Sequence, residues 1–200
     1  MINITLPDGT QKQYEQPYNG LKIAVSIGKK LARDAIAIKV NGIIQDLQIA
    51  IKEDSKIEII TKKSPEGIDI IRHDAAHVMA EAVQSLFKNT QVAIGPTIEN
   101  GFYYDFDFEK SFSTDDFEKI EKKMLEIIRE DKKFVREVWS KKRAIEYFNK
   151  KNEEYKIELI KNIEDSEKLT IYKQGNWLDL CRGPHSPSTS FIGESFKLLK

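Results

Sequence analysis

Apolar and polar positions alternate from Ile2 to Leu6, the period of a half-buried strand. Pro7-Asp8-Gly9 follows with turn chemistry, and a second strand near 10–14 completes a hairpin. Leu21 to Arg33, with Leu21, Val25 and Leu31 among its apolar positions, reads as one helix that Gly28 weakens locally. Ala35–Val40 and Ile43–Gln45 flank the turn pair Asn41-Gly42, and Ile57–Thr61 is a further strand. The order β-β-α-β-β predicts a β-grasp, ubiquitin-like sheet crossed by a helix.

Beyond Lys62-Lys63-Ser64-Pro65-Glu66-Gly67, a polar stretch with Pro and Gly, the period changes. Ile68 to Phe87 reads as a long helix, Val92–Ile94 and Gly101–Phe108 as strands. Ser113 or Thr114 caps a helix reaching about Asp131, with Asp115, Asp116 and Glu118 matching its positive N-terminal end. Phe134–Trp139 reads as a strand and Lys141–Asn149 as a helix, with strands at Tyr155–Ile160, Leu169–Lys173 and Phe196–Leu199. The fold class is α+β. A small β-grasp domain over 1–62 and a linker over 63–67 precede a larger mixed domain over 68–200.

Composition narrows the class. Thirty-two basic and 32 acidic residues cancel across 200 positions, so the chain is no simple polycation. One cysteine excludes an internal disulfide framework and suits a reducing compartment. No apolar run nears the ~18 residues of a membrane span, and the N-terminus lacks a signal-peptide pattern. A cytoplasmic protein is expected.

The chemistry concentrates in two windows. His73 and His77 lie four apart on the predicted helix, and Cys181 and His185 four apart in Asp-Leu-Cys-Arg-Gly-Pro-His; together they are all the histidines and the only cysteine. On a helical projection Ile71, Ala75, Val78, Met79, Ala82 and Leu86 form the apolar stripe. The two histidines fall nearly opposite, beside Ala76 and Ala80, as on a cleft wall. Arg182-Gly183-Pro184 predicts a tight turn, Asp179 adds a carboxylate, and Arg182 suits a phosphate or carboxylate. The residue types fit a tetrahedral zinc site or a metal-free hydrolytic pocket in which imidazoles and a Lys or Asp position water. A thiolate–imidazole nucleophile is the weaker third option.

Five blocks in order, His73-Asp-Ala-Ala-His77, Ala93-Ile-Gly-Pro96, Asn100-Gly-Phe-Tyr-Tyr-Asp105, Tyr155-Lys156 and Asp179-Leu-Cys-Arg-Gly-Pro-His185, resemble the editing domain of bacterial-type threonyl-tRNA synthetases. Ile4-Thr-Leu-Pro-Asp-Gly9 with Val40-Asn-Gly42 resembles their TGS domain, so the resemblance covers essentially the whole chain. It implies hydrolysis of seryl-tRNA(Thr) at a zinc-free His/His/Cys/His site. In that reading His73 and Lys156 bind the ester or position water. His77 and His185 complete the water network, one as general base, and Asp179 holds the seryl group. Cys181 lines the pocket or modulates a histidine rather than attacking, Gly95 and Tyr104 shape the pocket, and Arg182 contacts the terminal nucleotides. Phe102 or Tyr103 stacks on them, or packs in the core.

The resemblance further implies tRNA(Thr) with serine on its 3′ CCA end as partner. It places the aminoacylation core, with its ATP, Mg2+ and Zn2+, beyond Lys200, leaves the editing domain open to being incomplete, and makes the full ligase a homodimer. Asp74 departs from the family, which usually has a small hydroxyl residue there. Two alternatives stand beside this reading. One is an alanyl-type, zinc-dependent hydrolase using His73, His77, Cys181 and His185 as ligands; the other is a non-catalytic tRNA-binding module.

Overall fold

A computed structural model of the chain describes residues 1–15, 17–109, 111–164 and 167–199. It divides into two compact units, Met1–Ile71 with Gly183–Pro187, and Arg72–Arg182 with Ser188–Lys200.

In the first unit, β1 (Ile2–Thr5) buries Ile2 and Ile4 and pairs antiparallel with β2 (Gln11–Tyr14). The turn between them closes where Asp8 Oδ1 accepts the Thr10 N–H at 2.9 Å. β3 (Tyr18–Asn19) leads into α1 (Gly20–Ile27), whose N-terminus the Asn19 side chain caps by accepting the Lys22 N–H. Gly28 then adopts extended backbone, and α2 (Lys29–Asp34) starts afresh. The single helix expected over 21–33 is therefore two, broken at its one glycine, and Val25 faces solvent.

β4 (Ala35–Val40) turns through Asn41 and Gly42, both at positive φ, into β5 (Ile43–Asp46). β6 (Ala50–Ile51) pairs with β3, and β7 (Ser55–Thr61) lies between β1, parallel, and β4, antiparallel. The sheet order β2-β1-β7-β4-β5 is a β-grasp. Its core is Ile2, Ile4, Ile23, Ala24, Ile38, Leu47, Ile51 and Ile57.

α3 (Pro65–Leu86) begins three residues before the expected Ile68, because Ser64 Oγ accepts the Gly67 N–H and Pro65 suits a first helical position. Residues 65–67 of the expected linker are thus helical. Gly67 passes so close to the end of β7 that a Cβ there would sit 2.0 Å from the Thr61 carbonyl oxygen.

In the second unit α3 is followed by four two-residue strands, β8 (Gln91–Val92), β9 (Thr97–Ile98), β10 (Gly101–Phe102) and β11 (Phe106–Asp107). The last two replace the one strand expected over 101–108. α4 (Thr114–Arg129) opens with a reciprocal capping box between Ser113 and Asp116. Its Ile120, Met124, Ile127 and Ile128 share one apolar cluster with Val78, Met79, Ala82 and Val83 of α3. β12 (Phe134–Trp139), α5 (Lys141–Lys150), α6 (Glu154–Asn162), β13 (Leu169–Gln174) and β14 (Trp177–Leu180) complete the unit with a short 3-10 turn at Thr189–Ile192. The sheet runs β12-β13-β14, all antiparallel.

Two further sequence readings fail here. Tyr155–Ile160 is helical, burying Lys156, Ile157 and Ile160 on one face; a short apolar run does not by itself separate the two periods. Phe196–Leu199 is not a strand; Phe196 and Leu198 pack on the α3–α4 cluster, and Glu121 accepts the Leu198 N–H. β14, which carries Asp179, was not anticipated.

Candidate functional site

Packing of α3 decides the setting of its histidines. From Asp74 to Val83 it is buried almost all round, and His77 is 4% exposed. His73, one turn earlier, is only partly buried. The rings of His73 and His77 meet edge-on with centroids 4.7 Å apart, as i, i+4 spacing allows.

β14 supplies the opposing residues. Its pairing places Asp179 opposite Tyr172 on β13, and the Cys181 N–H extends the ladder to the Thr170 carbonyl at 3.1 Å. The Thr170 hydroxyl in turn donates to the Cys181 carbonyl. Period two then presents Trp177, Asp179 and Cys181 on one face. His73 Nε2 lies 3.0 Å from Cys181 Sγ, and the ligating atoms of His73, His77 and Cys181 lie within 4.8 Å of one another.

Beside them sits a buried ionic triad. Lys156 Nζ from α6 contacts Asp179 Oδ1 at 2.7 Å and donates to the Tyr104 hydroxyl at 3.0 Å. That hydroxyl donates to Asp179 Oδ2 at 2.5 Å, and His77 Nδ1 is 3.8 Å from the same oxygen. Burial first, then the Asp179 charge and hydrogen bond, hold the Tyr104 hydroxyl well above its ordinary titration range, so it remains a donor. Gly95 makes the approach possible: a Cβ there would lie 2.2 Å from the Tyr104 ring.

Further polar residues support His77, none of them singled out by sequence. Trp177 stands edge-on to it at 5.8 Å and donates its Nε1–H to Gln84. Gln84 donates to Glu153, which also accepts the Val92 N–H at 3.0 Å. Desolvation raises the Glu153 carboxyl above its usual range. Gln174 donates to Glu81 at 2.7 Å and to the His77 carbonyl, while its own buried carbonyl oxygen has no hydrogen-bond partner among the described residues. The alternation Trp-x-Asp-x-Cys was the available signal for Trp177.

His185, 2% exposed, lies in the Gly183–Pro187 segment of the first unit, where its backbone N–H meets Asp46 Oδ1 at 2.9 Å. Gly183 takes φ 71°, the left-handed region the turn was expected to need. Arg182 is exposed and pairs with Glu167 at 3.3 Å. Phe102 packs on the α3–α4 cluster, whereas Tyr103 is largely exposed.

Two imidazoles and a thiol form a donor set that can ligate a borderline-soft metal such as zinc. The 3.0 Å between Nε2 and Sγ is, however, a hydrogen-bond separation. Around a tetrahedral zinc the two atoms would stand about 3.5 Å apart.

Residues 2–61 match the TGS domain model, and 169–200 match that of the threonyl and alanyl tRNA synthetase second additional domain. Along its full length the chain is 54% identical to a threonine–tRNA ligase of Parvibaculum lavamentivorans, 52% to one of Bartonella quintana and 49% to one of Rickettsia bellii. It spans about a third of their length, 30–31%. No described helix is long and apolar enough to cross a membrane.

Proposed function

We propose that this chain, a threonyl-tRNA synthetase family segment that joins a TGS domain to an editing domain, hydrolyses the ester of seryl-tRNA(Thr). The supporting observation is the convergence of His73, His77 and Cys181 beside the buried Lys156–Asp179–Tyr104 triad. Serine is threonine without one methyl. A synthetic site that accepts threonine cannot exclude serine sterically, and a methyl contributes only ~1–3 kcal/mol of discrimination, so a second, hydrolytic site is needed.

The step is water addition to the ester carbonyl, with the ribose hydroxyl leaving. An imidazole of His73, His77 or His185 takes the water proton and returns it to the leaving oxygen. His185 follows Cys181 by four residues, so chain connectivity limits how far it can stand from that thiol. Lys156, held by Asp179 and Tyr104, offers the cationic N–H donors that favour the developing oxyanion. Asp179, with Lys156 and Tyr104 on its oxygens, orients the cation besides meeting the seryl ammonium or hydroxyl. Cys181 lines the pocket and donates to or accepts from His73. Gly95 and Tyr104 set the pocket's shape, and exposed Arg182 meets the phosphates of the CCA end in this reading.

The site works without a metal in this reading, as the resemblance of its motifs to the editing family implies. The donor set also supports a second reading, in which His73, His77, Cys181 and His185 would hold zinc, which would supply Lewis-acid activation of the water. Elemental analysis after dialysis separates the two: below about 0.1 zinc per chain is expected, and one tightly held zinc overturns the metal-free site. The full ligase would join threonine to tRNA(Thr) with ATP as a cytoplasmic homodimer, with ATP, Mg2+ and Zn2+ belonging to its synthetic core.

The test is deacylation of seryl- and threonyl-tRNA carrying the same tRNA body. Hydrolysis of the seryl ester alone is expected, with a loss of about 10²–10⁴-fold when His73→Ala and His77→Ala are combined. A double variant as fast as wild type, or a chain that binds tRNA without hydrolysing the ester, overturns the proposal.

A further inference from the structure

We propose that Asp46, on the TGS-like sheet, is a positioning residue for editing: its carboxylate fixes the backbone that carries His185. The inference rests on the role proposed for His185 above.

The chain around His185 is anchored on either side. Cys181 exchanges hydrogen bonds with Thr170, and Thr189 donates its N–H to the Lys132 carbonyl at 2.8 Å. Ser188 donates its hydroxyl to Asp131. The five residues between, Gly183–Pro187, belong instead to the first unit. Pro184 and Pro187 have no N–H to offer, so within Pro184-His185-Ser186-Pro187 only two backbone donors exist. The His185 donor goes to Asp46 Oδ1 at 2.9 Å in a buried setting.

The acceptor is unusual for its surroundings. The first unit's core is built of Ile, Ala and Leu, and apart from the Gly183–Pro187 segment its buried polar residues are Asp46 and Ser55 among those described. Desolvating a carboxylate on such a sheet is costly unless it is hydrogen-bonded. Asp46 is itself fixed, opposite Ala37 in the β4–β5 register, with its carbonyl accepting the Ile49 N–H. The amide nitrogen is two bonds from the Cβ that bears the imidazole. Anchoring it therefore sets the origin of the ring, and a misplacement of about 1 Å can cost about a hundredfold in rate.

The experiment measures seryl-tRNA deacylation and amide hydrogen exchange over 183–187 in the 200-residue chain. In Asp46→Ala the His185 amide should exchange at least about ten-fold faster, with kcat down about ten- to a hundredfold and KM changed less than about two-fold. Asp46→Asn keeps the accepting oxygen and should stay within about three-fold of wild type on both readouts. If Asp46→Ala fails to fold, Asp46→Glu, which moves the acceptor by one methylene, should show the same losses. Unchanged exchange in Asp46→Ala, faster exchange with normal kcat, or equal losses in the Ala and Asn variants each overturn the proposal. A wild-type chain inert toward seryl-tRNA overturns the editing reading itself. That failure is distinguishable, because the exchange contrast still reports whether Asp46 holds the segment.

Discussion

The two units bury different things. The first packs Ile2, Ile4, Ile23, Ile38 and Ile57 into an apolar core, with Asp46 and Ser55 its buried polar residues outside the Gly183–Pro187 segment among those described. The second buries Asp74, His77, Glu153, Lys156, Gln174 and Asp179. An apolar core needs only matching volumes, but each polar group taken from water needs a partner. A fold that keeps several such groups in one place is spending stability on arrangement. Stability and chemistry should therefore respond oppositely to substitution in the two units.

The largest effect is expected at the ion pair. Lys156→Met strands Asp179 in the interior and should destabilise the second unit by about 3–5 kcal/mol. Both tryptophans, Trp139 and Trp177, lie in that unit, so fluorescence-detected urea unfolding reads it alone. Adding Asp179→Leu should restore much of the loss while deacylation stays abolished. Restored activity, or a single variant costing under about 1 kcal/mol, would erase the contrast between the units.

Ile38→Ala removes a fully buried side chain from the first unit and should cost about 3 kcal/mol there. The loss should appear in the unfolding of that unit followed through Tyr14 and Tyr18, with Ile38→Val limited to about 1 kcal/mol. Ser113→Ala deletes one arm of the α4 capping box and should cost about 1 kcal/mol in the tryptophan-detected transition. The smallest effect is in acid. Hydrogen bonds from Ser113 and Lys119 lower the Asp116 carboxyl to about 2 from an ordinary 3.8. A depressed carboxylate stabilises above its unfolded value, so this contribution is present above about pH 4 and is lost as the pH falls through about 2. Ser113→Ala should raise the titration midpoint of Asp116 measured by NMR; an unmoved midpoint would show that the cap does not set it.

Legibility followed the strength of the local period. The first hairpin, the Asn41-Gly42 turn, the sheet class and the long helix bearing both histidines could be read directly, since alternation, turn residues and caps act within a few positions. The two rare-residue windows were equally visible, and the fold sets Cys181 beside His73. Short segments misled. Lys156 reads as part of a strand but sits on a helix, and that helix is what lets Lys156 reach Asp179. Gln84, Glu153, Gln174 and Trp177 carry no motif; their role follows from neighbours distant in sequence.

The order of residues determined the first hairpin, the long helices, which rare side chains recur at spacing four, and which family the chain resembles, because propensity, patterning and motif spacing are local properties. Tertiary packing decided that His77 is enclosed, that Lys156 and Asp179 pair with the Tyr104 hydroxyl between them, and that a carboxylate of the first sheet takes the His185 amide. Those outcomes depend on desolvation and on partners brought together from far along the chain, and neither quantity is written in any short stretch of sequence.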